Sequence, residues 1–159
     1  MSEHGGVGRR LAELGLSLPA VAAPVAAYVP AVRSGSLVWT AGQLPFVDGA
    51  LPVTGKVGEG EGLVPPARAA ELARTAALNA LAAVAEQAGS LDRVRRVVKV
   101  VGFVASDPAF TGQPAVVNGA SELLGQVFGE AGKHARSAVG VAVLPLDSPV
   151  EIELVVELA

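Results

Sequence analysis

Residues 134–159, HARSAVGVAVLPLDSPVEIELVVELA, place the strongest constraint on what this chain can fold into. Large and small side chains alternate along the first half, which is the period-two signature of a β-strand. One face of that strand carries Val139, Val141 and Val143, and the other carries Arg136, Ala138, Gly140 and Ala142. In the second half, apolar residues alternate with Glu151, Glu153 and Glu157, so a slip of one residue would bury three carboxylates. The pattern predicts two strands in a firm register.

A break separates the two strands, because Pro145 and Pro149 bracket residues that favour turns. We therefore expect the two strands to form a hairpin. Arg136 lies on a face of small residues, where a planar ligand could reach its guanidinium and a carboxylate could be bound by two hydrogen bonds. The alternative is a solvated arginine or one paired with a surface glutamate, and Glu151 could equally be a solvated carboxylate.

Composition excludes several kinds of site. The 159 residues include no cysteine and only two histidines, His4 and His134, so neither thiol catalysis nor a metal site is expected. The net charge of −3 argues against a nucleic-acid-binding surface. Apolar runs stay well short of the roughly 20 residues that span a bilayer. The first residues lack the apolar segment of a signal peptide, so we expect a soluble, cytoplasmic protein.

The remaining segments predict an α+β domain. A short helix is expected at 7–14, strands at 28–33, 36–41 and 94–106, and a short strand or hairpin arm within 46–54. Long helices are expected from Pro65 to Ala88 and from Asp107 to about Phe128. Two helices cover only one face of a mixed sheet, so we expect oligomerisation to bury the other face.

Several segments together resemble the RidA group, also called YjgF-like, endoribonuclease L-PSP or reactive-intermediate deaminase. The resemblance covers roughly residues 24–158. It rests on the strand at Tyr28, on Val38–Pro45 (VWTAGQLP), which is similar to the family's Ser-Gly-Gln-hydrophobic-Pro element, and on Asp107. It also rests on Arg136-Ser137, on Leu144-Pro145 and on the strand that begins Val150-Glu151. On this basis residues 1–23 are an N-terminal extension with a short helix, and residues 24–159 are a RidA-like domain.

The resemblance implies a chorismate-mutase-like fold, with two helices on one face of a mixed sheet, assembled as a homotrimer with a central barrel and clefts between subunits. It implies hydrolysis of small 2-imino or enamine acids, such as 2-iminobutanoate and 2-iminopropanoate, to 2-keto acids and ammonia without a cofactor. Arg136 matches the arginine that binds the substrate carboxylate, and Glu151 matches the acid that positions water. Further pocket contacts match Tyr28, the backbone of Gly42, and Asn118.

Two positions depart from the family pattern. Ala41 stands where active members usually carry serine, and Ala138 stands where many carry cysteine. Both changes remove polar contacts, so the substrate or the rate can differ. A trimeric binding or regulatory protein for small carboxylates is therefore the alternative function, and a ribonuclease is ranked lower because the chain is acidic and nearly lacks histidine.

A hairpin geometry bears on how one cleft is assembled. In such a hairpin Glu151 lies opposite about residue 142, on the order of 20 Å from Arg136 at about 3.3 Å per residue. We therefore predict that the Arg136 and the Glu151 of one cleft come from different subunits.

Overall fold

The computed structural model describes residues 6–23 and 26–159 as an α+β fold, in which three helices and a five-stranded sheet lie within the described residues. The helices are α1 (Gly6–Glu13), α2 (Pro66–Ala88) and α3 (Gln113–Phe128). The strands are β1 (Ala31–Ser34), β2 (Leu37–Thr40), β3 (Val94–Ala105), β4 (Ala135–Val141) and β5 (Val150–Leu158). Across residues 6–23 and 26–159, no helix is both long and apolar enough to cross a bilayer.

The sheet has the strand order β1-β2-β5-β3-β4, so the expected hairpin between the last two strands is wrong. β3 lies between them, parallel to β4 and antiparallel to β5. The reason is burial: Ile152, Leu154 and Val156 of β5 are almost completely buried, which suits a central strand. The connection after β4 is a short turn at Pro145–Asp147, with Leu146 at φ 58° and Asp147 at φ 58°, and it carries the chain past the end of β3.

Helix α2 forms where the sequence predicts it. Pro66 occupies its first turn, and Gly89 ends it in the left-handed conformation at φ 85°, which glycine adopts without strain. Its many alanines allow close packing on α3, where the Cα of Gly119 lies so near the carbonyl of Ala70 that a side chain would not fit. The apolar residues of α2, α3 and one sheet face form the core.

Two other predictions need correction. Helix α3 begins at Gln113 rather than near Asp107, because Asp107 makes a tight turn: its carboxylate accepts the N–H of Ala109 at 3.0 Å. Residues 46–54 contain no strand. Val47 and Ala50 pair only with each other around Asp48 and Gly49, which have φ values of 51° and 81° and so form the expected turn.

The two faces of the sheet differ from expectation in one respect. Arg136, Ala138 and Gly140 of β4 pair with Val100, Gly102 and Val104, which face the helices. The small residues thus let α3 approach β4, so the face of β4 on which a planar ligand was expected to reach Arg136 is covered by a helix. The uncovered face carries exposed apolar side chains instead, including Trp39 (51 % exposed) and Val139 (43 % exposed).

Helix α1 packs on the body of the domain. Val7 and Leu11 are buried, and the N–H of Val7 donates to Asp92 Oδ1 at 3.0 Å. Arg10 Nη1 donates to the carbonyl of Val127 at 3.0 Å, next to the end of α3. The expected N-terminal helix is therefore present with slightly shifted bounds, and residues 1–5 of the predicted extension lie outside the described residues.

Candidate functional site

A small recess of about 50 Å³ lies at the edge of the uncovered sheet face. It has room for a few water molecules or a small polar group, since one water needs roughly 10–15 Å³ of such space. Its lining includes Tyr28, Gly42, Gln43, Phe46, Pro145 and Glu151. Three residues proposed from the sequence, Tyr28, Gly42 and Glu151, therefore meet in one place.

Glu151 contributes the carboxyl group of this recess. It lies on β5, beside Phe103 of β3, and points away from the helices. Burial raises the pKa of Glu151 above its ordinary value, and the negative charge of Glu153 on the same strand face raises it further. A carboxylate with a raised pKa is a stronger proton acceptor than a solvated one.

Gly42 is required by the position of the carboxyl group. A Cβ atom on residue 42 would lie 2.7 Å from Cδ and 2.7 Å from Oε2 of Glu151. The missing side chain thus makes the space that the carboxyl group occupies. This close approach is a physical reason for glycine at residue 42.

The backbone around Gly42 is held by three neighbouring elements. Gln43 and Ile152 exchange both backbone hydrogen bonds, at 2.7 and 3.0 Å, and the hydroxyl of Thr40 accepts the N–H of Leu154 at 2.9 Å. The buried Asn79 of α2 donates to the carbonyls of residues 44 and 46 at 3.0 and 3.1 Å. These contacts fix the recess on rigid elements. The sequence analysis missed Asn79, although an asparagine on the alanine-rich face of a helix is an unusual residue for a core.

The segment that follows α1 also reaches the recess. Ala22 and Ala23 lie in its wall beside Tyr28 and Pro30. The N-terminal extension therefore contributes directly to the shape of this site.

A second polar cluster surrounds Arg136 on the helix-covered side of β4. Arg136 Nη1 donates to Asn118 Oδ1 at 2.7 Å and to Ser121 Oγ at 3.2 Å. Asn118, proposed from the resemblance, therefore contacts the arginine. Ala138 is half-buried two residues along the same face.

Ser121 and His134 extend this cluster and were not proposed from the sequence. Ser121 Oγ lies 2.9 Å from His134 Nε2, and His134 Nδ1 lies 2.6 Å from the carbonyl oxygen of Gly132. Two spacings carried the signal: Ser121 follows Asn118 by one helical turn, and His134, which lies just before β4, precedes Arg136 by two residues.

Arg136 and Glu151 do not meet within one chain. Arg136 pairs with Val100 and Glu151 pairs with Phe103, three positions apart on β3, so their side chains point to opposite sheet faces. Two strand spacings and three residues separate their Cα atoms by roughly 14 Å, which replaces the larger separation expected from a hairpin.

The other proposed residue, Ala41, precedes Gly42 and donates its N–H to the carbonyl of Pro30 at 2.8 Å. Its methyl group supplies no hydrogen-bonding atom to the neighbouring recess. Within residues 6–23 and 26–159, no three His, Asp or Glu side chains are grouped so that they could hold a metal ion.

The sequence model of the family described as "YjgF/chorismate mutase-like, putative endoribonuclease" matches residues 8–158. This chain belongs to the YjgF/chorismate mutase-like family. Protein TCP17 of Trypanosoma cruzi is 47 % identical over 155 residues, which cover 97 % of this chain and 95 % of TCP17. The YjgF-like assignment made from the sequence is therefore confirmed.

Solved structures of YjgF-like relatives have the same fold. Atu1372 of Agrobacterium tumefaciens is 47 % identical, with a TM-score of 0.88 over 97 % of this chain and 93 % of that protein. Escherichia coli TdcF, solved with bound serine, is 28 % identical, with a TM-score of 0.57 over 89 % of this chain and 93 % of TdcF. A small amino acid thus binds to one structurally similar protein.

Proposed function

We propose that this protein is a cofactor-independent hydrolytic deaminase of small 2-imino or enamine acids, of the 2-iminobutanoate and 2-iminopropanoate type. The observation that carries the proposal is Glu151, a half-buried carboxyl group with a raised pKa in a recess of small size. Membership of the YjgF/chorismate mutase-like family supports it. So does the serine bound to TdcF, because serine and a 2-imino acid share a carboxylate next to a carbon that bears nitrogen.

The chemistry requires little from the protein. A protonated imine carbon is already electrophilic, so the site must orient the substrate and direct one water molecule. Glu151 accepts a proton from water as the water oxygen bonds to C2 of the substrate. The same proton then passes to the nitrogen of the resulting carbinolamine. The C–N bond breaks, ammonia leaves, and loss of the hydroxyl proton gives the 2-keto acid.

The proposed carboxylate ligand is Arg136 of a neighbouring subunit. Within one chain the two side chains lie on opposite sheet faces, so a complete site needs two chains. The exposed apolar side chains of the uncovered face, Trp39 and Val139 among them, favour its burial between copies. We propose a homotrimer in which three sheets surround a central barrel and each cleft combines two subunits.

Release of ammonia or keto acid tests the reaction, with 2-iminopropanoate generated in situ by an amino-acid oxidase. We expect acceleration over the spontaneous rate in the wild type, and loss of that acceleration in Arg136→Ala and in Glu151→Gln. Glu157→Gln, at the far end of β5, is the matched control and should remain active. Acceleration that persists in Glu151→Gln would contradict the mechanism.

The alternative is a trimeric protein that binds or senses small carboxylates without catalysis. Ala41 favours it, because the residue next to Gly42 offers no hydroxyl group to the recess. In that case Glu151→Gln leaves keto-acid binding unchanged and the wild type gives no acceleration. A ribonuclease activity is less favoured, given the net charge of −3 and the presence of only two histidines.

A further inference from the structure

The guanidinium of Arg136 is already held on one side by protein. Its Nη1 atom carries two hydrogens, and Asn118 Oδ1 and Ser121 Oγ accept from it. Within the described part of the chain, Nε and Nη2 have no hydrogen-bond partner. The edge of the guanidinium formed by Nε and Nη2 is therefore the one left for a ligand.

The hydrogen bonds beyond Ser121 have a defined direction. The carbonyl of Gly132 can only accept, so His134 Nδ1 carries a hydrogen and donates to it. In the neutral imidazole ring Nε2 is then the acceptor, and the hydroxyl of Ser121 donates to it. The lone pairs of Ser121 Oγ remain free to accept from Arg136. The result is a chain of donors and acceptors in which every member is satisfied, from Arg136 through Ser121 and His134 to Gly132.

This chain anchors the guanidinium to two elements. Ser121 and Asn118 lie one turn apart on α3. Arg136 is near the start of β4, and His134 is the residue just before that strand. A long arginine side chain normally loses much rotational freedom when it binds a ligand. Here that freedom is already restricted, which favours tight and directional binding.

We propose that Ser121 and His134 are positioning residues for Arg136, and that they present its Nε–Nη2 edge to a ligand carboxylate for bidentate binding. This inference rests on the proposed role of Arg136 as the carboxylate ligand. It adds a specificity: the site favours a planar group with two acceptor oxygens over an amide or ester of the same acid.

The ligand test compares Ser121→Ala, Ser121→Thr and His134→Phe with the wild type. Ser137→Ala is the matched control, because its hydroxyl lies on the same strand, faces the other side and bonds Lys99 Nζ at 3.1 Å. We expect the Kd for 2-oxobutanoate and the KM for the imine to rise about tenfold in Ser121→Ala, the scale of one hydrogen bond to a charged group. The kcat should stay within about twofold, and Ser121→Thr should restore binding.

A second measurement reports on the arginine itself. In ¹⁵N NMR spectra, a held Arg136 gives separate, slowly exchanging Nη signals. We expect these signals to merge in Ser121→Ala and in Asn118→Ala and to persist in Ser137→Ala. Folding of each variant is checked by its thermal unfolding midpoint.

The outcomes separate the two proposals. If Arg136→Ala binds 2-oxobutanoate as well as the wild type does, the proposed function fails, and the NMR signals alone decide whether Ser121 holds the guanidinium. If Arg136 is needed for binding but Ser121→Ala behaves like Ser137→Ala in Kd and in the NMR spectra, the positioning role is overturned. Equal affinity for 2-oxobutanoate and its amide would overturn the bidentate geometry.

Discussion

The carboxyl group of Glu151 occupies the space that a side chain on Gly42 would need, since a Cβ atom there would lie 2.7 Å from its Cδ. The two residues come from different segments, and the backbone pairing of Gln43 with Ile152 holds them together. A larger side chain at residue 42 therefore moves the carboxyl group of Glu151 without altering the carboxyl group itself.

Gly42→Ala should displace the carboxyl group of Glu151 and leave the fold intact, because the contacted atoms are the end of a flexible side chain. A displacement of about 1 Å costs on the order of 100-fold in rate, so we expect a loss of that size in kcat. Steady-state kinetics and thermal unfolding measure the two effects. Gly125→Ala on α3 is the control, since a Cβ there meets no other atom, and it should keep full activity. Unchanged kcat in Gly42→Ala would show that the carboxyl position is not critical.

Which residues share a face of each strand could be predicted from the sequence, but the strand order and the face that the helices cover could not. Alternation along β4 and β5 is local, and it gave both strands to within a few residues. The proline-bracketed break also looks the same whether the chain turns back beside β4 or crosses β3. The choice between these two connections depends on which strands pair with β5, whose one face is fully buried. This pairing is a non-local property of the packed sheet.

The candidate site was predictable to a similar extent. Arg136 and Glu151 stood out because each is a charged residue on a strand that also has an apolar or small-residue face. Ser121 did not, because its role depends on α3 packing over β4. From the sequence, His134 is considered only as a possible metal ligand, because its two-residue spacing to Arg136 does not reveal a hydrogen bond to a serine on another element.

Stability should depend on Glu151 in a pH window set by its raised pKa. Because burial raises the pKa in the folded state, the folded protein binds more protons than the unfolded chain between the two pKa values. The contribution of this group to stability is fully present below the unfolded pKa of about 4.3 and is lost as pH rises through the folded value. We expect Glu151→Gln to unfold at a higher temperature than the wild type at pH 7 and at the same temperature near pH 3.5. Glu130→Gln, on an exposed turn, should show no such trend.

The activity profile should respond to Glu153, whose charge contributes to the raised pKa of Glu151. Glu153→Gln removes that charge, so the pKa of Glu151 falls. If Glu151 acts as the base, the acidic limb of kcat/KM moves to lower pH in this variant. A pH–rate profile compared with that of Glu157→Gln measures the shift. A limb that stays in place would assign the titration to another group.

The proposed burial of the uncovered sheet face between subunits predicts the effect of a charge placed on that face. Val139 is 43 % exposed in one chain and lies on that face in the edge strand β4, beside Phe103 of β3. Val139→Glu should convert the proposed trimer to monomers and abolish turnover, since burying an unpaired carboxylate is costly. Light scattering after size-exclusion chromatography gives the mass. Ala67→Glu, on the exposed side of α2, should remain oligomeric. A monomeric and active wild type would contradict the shared cleft.

Complementation between two inactive variants tests whether a cleft combines two subunits. Arg136 and Glu151 lie on opposite sheet faces of one chain, so each cleft should take one residue from each of two subunits. Neither Arg136→Ala nor Glu151→Gln alone contains an intact cleft. In trimers formed from equal amounts of both, about one cleft in four pairs an intact Arg136 with an intact Glu151, because each is present in half of the subunits. We expect roughly a quarter of the wild-type rate after co-refolding, and a mixture kept as separate homotrimers is the control. If both residues acted within one chain, mixing would restore nothing.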